Sequence, residues 1–124
     1  MRFFLALILL LVTSLAAAAE EPVEREIRTL EWRLYDRVEF PLRLRQIDSE
    51  IKLTEARLKS QQKLLAEYQA FQRFSAGNPL TLTVEETKLQ ILASQLKLED
   101  LREERSLLLR YRDDQRRLFE LRGK

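Results

Sequence analysis

The sequence predicts an all-α fold, a long antiparallel helical hairpin of coiled-coil type. Three observations carry the prediction. Apolar residues recur every three or four positions over most of the chain, the signature of amphipathic helix. Leu, Arg, Glu and Gln, all strong helix formers, dominate on both sides of one interruption. That interruption, Ser75–Pro79, holds one of only two glycines and one of only three prolines in 124 residues.

The first segment reads as an export signal. Met1-Arg2 is a short positive start, Phe3 to Leu15 is almost wholly apolar, and Ala16–Ala19 precedes Glu20-Glu21-Pro22. A charged start, an apolar stretch and an Ala-x-Ala site describe a cleavable signal peptide over residues 1–19, leaving one helical-hairpin domain over 20–124. The rival reading is an uncleaved membrane anchor, because Phe3 to Ala19 is 17 residues, at the short edge of what spans a bilayer. The expected destination is the periplasm, with inner-membrane anchoring as the alternative. There is no cysteine, hence no disulfide framework and no lipid-modified cysteine.

Helix one is expected to begin near Pro22, which suits a first helical turn because it has no N–H to leave unpaired. Ile27, Leu30, Leu34 and Val38 form a first apolar series, and Leu44, Ile47, Ile51 and Leu58 resume it beyond Pro41, with Thr54 and Gln61 as polar seam positions. Pro41 removes a helical hydrogen bond and crowds the preceding turn. A kink there is expected, or a break between two helices, and the seam changes phase around it. The helix should stop near Phe74, with Gly77 in a left-handed C-terminal position and Pro79 barring continuation. Thr83 and Glu86 then form a capping box, with Thr81 as a competing cap. Helix two should run to about Leu121 and end at Gly123.

Helix two carries two leucine rows. Leu89, Leu92 and Leu96 form one, and Ile91, Leu98, Leu101 and Leu108 form another. A two-helix seam needs only one narrow stripe, so the second row asks for a partner. The first row is assigned to the seam. Leu98 and Leu101 are assigned to partner binding, with self-association the simplest outcome. Folding about Gly77 sets Leu121 near Asp36, so residues 23–35 should overhang. Trp32 and Tyr35 lie there, as interface anchors or as a cap on the open end.

Composition excludes several function classes. The sequence has no histidine and no cysteine. That removes the usual metal sites, the Ser-His-Asp and Cys-His nucleophiles and the commonest general base. No catalytic, metal or cofactor residue is expected, and no cofactor. Removing residues 1–19 takes Arg2 alone from 22 Lys+Arg against 20 Asp+Glu, leaving a net charge near +1. Such a balance does not suggest nucleic-acid binding. The arginine-rich C-terminal stretch beyond Arg102 is the one basic run. It compensates the helix dipole, or meets an anionic membrane surface. The sequence therefore points to a protein partner, either a second copy or an envelope protein.

Overall fold

The computed structural model describes residues 21–74 and 81–123. The expected signal peptide (1–19) and the turn residues Gly77 and Pro79 lie outside the described residues. The chain is an all-helical hairpin. Helix α1 covers 21–34, a π-helical turn covers Tyr35–Glu39, α2 covers Phe40–Phe74, and α3 covers Thr81–Arg122. No strand occurs among the described residues.

The π-helical turn is how the chain accommodates Pro41. In an α-helix the proline ring would press on the carbonyl of Arg37, and no N–H would answer that carbonyl. Here Phe40 N–H donates to the Tyr35 carbonyl, a five-residue bond, and helix continues on both sides of the proline. A π turn adds one residue to the helical repeat. The packed positions show that extra residue: Arg28, Trp32 and Tyr35 are followed by Phe40, five residues on. Beyond it Phe40, Leu44, Ile47, Ile51, Thr54, Leu58 and Gln61 step by four and three alternately. The seam shifts phase at this inserted residue, whereas the phase change read in the sequence ran from Val38, which is exposed, to Leu44.

The first apolar series proves to be on the outside. Ile27, Leu30, Leu34 and Val38 are all exposed, together with Val23. The seam before Phe40 is instead built from Arg28 and Trp32 of α1 and Tyr35 of the π-helical turn.

Two compact units can be distinguished. One holds the described residues up to Pro41 and from Tyr111 onward; the other is Leu42–Arg110. In the second unit α3 buries Val84, Thr87, Ile91, Ser94, Leu98 and Leu101, alternating three and four residues apart, and α2 buries Ile47 and Thr54. The polar members of this core are satisfied. Thr54 Oγ1 donates to the Glu50 carbonyl at 2.7 Å, and Thr87 Oγ1 to the Thr83 carbonyl at 2.7 Å. Ser94 Oγ donates across the seam to Gln61 Oε1 at 2.8 Å. Buried hydroxyls with such partners avoid the desolvation cost of an unpaired polar group. Arg102–Glu55 (3.3 Å) and Arg105–Asp48 (2.7 Å) flank the seam and show that the helices are antiparallel. Glu55 therefore reaches across to α3.

The leucine assignment on α3 is reversed. Leu98 and Leu101 are 7% and 6% exposed, while Leu92 and Leu96 are 49% and 53% exposed, so Leu98 and Leu101 are core and not partner-binding residues. The row Leu89–Leu92–Leu96 continues into Glu99 and Glu103, so it could not have formed a long seam. The other row is continuous once Thr87 and Ser94 are admitted as seam positions. The helix start also moves. α3 begins at Thr81, so Thr83 and Glu86 lie inside its first two turns. Thr83 offers its carbonyl to Thr87 instead of standing as the N-cap.

Candidate functional site

The first unit holds the site with the richest chemistry. Its seam is aromatic. Trp32 stacks on Phe119 with ring centroids 5.8 Å apart and an interplanar angle of 16°. Tyr35 packs tilted on Trp32 at 6.0 Å, edge-on to Tyr111 at 5.8 Å, and against Phe40 at 6.3 Å. Offset and edge contacts of this kind suit the ring quadrupoles. Arg112 sits over the Phe40 ring, 4.5 Å from its centroid, and its Nε and Nη2 both reach Asp36 Oδ1 at 2.9 Å. The guanidinium is thus held by a carboxylate on one side and a ring on another.

Phe119 reaches this seam by heptad arithmetic. Stepping by sevens from Val84 gives Ile91, Leu98, Arg105, Arg112 and Phe119. The two arginines interrupt the apolar pattern, which is why the row did not stand out in the sequence. Their stems lie over the seam while their heads pair at its edge, the usual behaviour of long basic side chains. Asp48 and Asp36 opposite them were the signal that could have been read.

Trp32 and Tyr35 are accordingly brought together, both half-buried, as part of the packed end of the unit. They do not overhang. Asp36 faces Arg112, Trp32 faces Phe119, and Arg28 Nη1 donates to the Arg122 carbonyl at 3.2 Å. The extra residue of the π turn shifts the pairing register in this direction. Leu98 and Leu101 belong to the other unit and take no part in this cluster.

Next to the stacked rings lies a groove of ≈ 200 Å³ lined by Arg28, Glu31, Trp32, Tyr35, Gln115, Leu118, Phe119 and Arg122. A smaller one of ≈ 120 Å³ adjoins Arg25, Arg28, Thr29, Phe119, Arg122 and Gly123. Arg28 and Arg122 line both. Arg28 Nε also donates to the Glu24 carbonyl at 3.4 Å, so its guanidinium is fixed between two backbone oxygens. No group of three or more metal-ligating side chains occurs among the described residues. Among them, no helix is long and apolar enough to cross a membrane.

No protein-family model, curated protein or solved structure matches this chain.

Proposed function

We propose that this is an exported, non-catalytic helical-hairpin protein that binds protein partners, as an adaptor, scaffold or holdase-like factor, and that it self-associates. One observation carries the reading: each unit leaves an aliphatic row outside its seam. In the first unit the row is Val23, Ile27, Leu30, Leu34 and Val38; in the second it is Leu89, Leu92 and Leu96. A continuous apolar stripe on the outward face of a helix has no role in the hairpin's own seam and suits a second helix. A small two-helix unit also buries little surface for its size, so association adds core that it lacks. The absence of histidine and cysteine from the sequence favours binding over catalysis.

Sedimentation equilibrium over micromolar concentrations tests this. The expected result is a concentration-dependent oligomer that Leu92→Glu with Leu96→Glu, or Leu30→Glu with Leu34→Glu, reduces to a helical monomer. A folded monomer at every concentration would remove self-association from the proposal.

The alternative is a membrane-tethered structural rod held by an uncleaved Phe3–Ala19 segment. Its support is the length of that apolar run. The mass of the mature protein separates the two, since a chain starting at or near Glu20 has no tether.

A further inference from the structure

Charge pairing across the seam follows one rule until the last turn of α3. Arg102 and Arg105 meet Glu55 and Asp48 in one unit, and Arg112 meets Asp36 in the other. At Arg122 the residue opposite is another base, Arg28, bonded to the Arg122 carbonyl. Neither Arg28 nor Arg122 has an ion-paired carboxylate among the described residues. Two arginines, Arg28 and Arg122, thus line one groove together with the stacked Trp32 and Phe119.

We propose that this groove binds the anionic end of an acidic amphiphile. A phosphate or carboxylate sits between Arg28 and Arg122, and the apolar body lies on Trp32 and Phe119. Arginine's planar fork matches such oxyanions. Arg28 spends one N–H on each of two backbone carbonyls, which orients the group in advance and leaves three of its five donors. Of these two bonds, the one to the Arg122 carbonyl answers the negative end of α3. Among the described residues Glu31 is the single carboxylate lining the groove, which leaves one positive charge in excess over Arg28 and Arg122. At ≈ 200 Å³ the groove suits a headgroup and the first methylenes of a chain, not a whole lipid. A lipid headgroup in a bilayer and a free acidic amphiphile present the same chemistry.

Trp32 is the only tryptophan in the sequence, so its emission reports directly on the groove. The full chain is titrated with octyl phosphate, octanol and inorganic phosphate, and with phosphatidylcholine vesicles with and without phosphatidylglycerol. A saturable change in emission is expected with octyl phosphate, at concentrations at least about tenfold below either fragment. Arg28→Gln with Arg122→Gln should weaken the response about tenfold or more, as loss of charge-assisted hydrogen bonds implies. Circular dichroism checks that this variant stays helical. Glu31→Gln should tighten binding, and its sign decides the matter even where the double variant does not fold. A response to phosphatidylglycerol vesicles and not to pure phosphatidylcholine supports the proposal with a lipid source. A response to octyl phosphate alone supports it with a free amphiphile. Equal affinity for octanol or inorganic phosphate, a folded double variant that binds unchanged, or weaker binding by Glu31→Gln overturns it.

Discussion

The two units solve the same problem, one helix laid against another, with different side chains. Leu42–Arg110 uses a narrow seam of β-branched, aliphatic and small hydroxyl residues: Ile47, Thr54, Val84, Thr87, Ile91, Ser94, Leu98 and Leu101. Each buried hydroxyl there has a partner. The other unit uses rings. Trp32, Tyr35 and Phe119 are only half-buried, Tyr111 is exposed at the edge, and Phe40 alone is fully buried. Small side chains at regular spacing close off water and specify a register. Large rings bury area quickly, but leave grooves beside them. Stability should therefore concentrate in the first kind of seam and ligand access in the second.

The largest expected effect falls on the narrow seam. Leu98→Glu with Leu101→Glu should abolish cooperative unfolding of the helical signal, because unpaired charge in a core is costly. Leu98→Ala alone should cost about 2–5 kcal/mol. Leu92→Glu with Leu96→Glu, one turn away on the same helix but exposed, should leave the monomer's melt within about 0.5 kcal/mol. Thermal melts at low protein concentration make the comparison. Equal damage from the two pairs would mean that the inner and outer rows are wrongly assigned.

A deletion series sharpens the contrast between the two stretches of the first helical arm of the hairpin. Removing Glu50 from α2 shifts every later seam residue by one position, some 100° around the helix, and should unfold the narrow seam. Removing Val38 should be far milder when combined with Pro41→Ala. Val38 is exposed, and its loss returns the step from Tyr35 to Phe40 from five residues to four, which an ordinary α-helix satisfies. Without Pro41→Ala, the ring would meet the preceding turn of an α-helix at a cost of about 3 kcal/mol. Circular dichroism melts of the three variants test the account. Comparable loss from the Glu50 deletion and the Val38 deletion with Pro41→Ala would show that the π turn is not a one-residue insertion in the seam.

These differences also explain what could be read from the chain. The hairpin, its helices and the disturbance at Pro41 were legible because helical period and proline chemistry are local. The seam was not, because leucine count is a poor guide to which face is buried. On α3 the exposed Leu89, Leu92 and Leu96 look more like a core than Thr87 and Ser94 do. Before Pro41 the aliphatic Ile27, Leu30, Leu34 and Val38 concealed an aromatic seam built on Trp32 and Tyr35. Strict alternation of threes and fours, followed past polar residues, would have found Phe119 and the burial of Leu98. The meeting of Arg28 with Arg122 depends on pairing register across the hairpin, which no local pattern carries.

The smallest expected effects come from the polar contacts across the narrow seam, and they separate a half-buried bond from an exposed one. Ser94→Ala deprives Gln61 of its 2.8 Å partner. The expected cost is about 1 kcal/mol, since a half-buried amide regains only part of its hydration. A double-mutant cycle with Gln61→Ala should return a coupling of at least about 0.5 kcal/mol, because the two side chains are in direct contact. The same cycle on Arg102 and Glu55, whose side chains are 61% and 48% exposed, should return about 0.2–1 kcal/mol at low salt. The two couplings can overlap in size, so salt is the discriminating variable. Screening at 0.5 M salt should erase most of the ion-pair term and leave the Ser94–Gln61 term in place. If both couplings fall together as salt rises, the Ser94–Gln61 bond is solvated and does not fix the register of the seam.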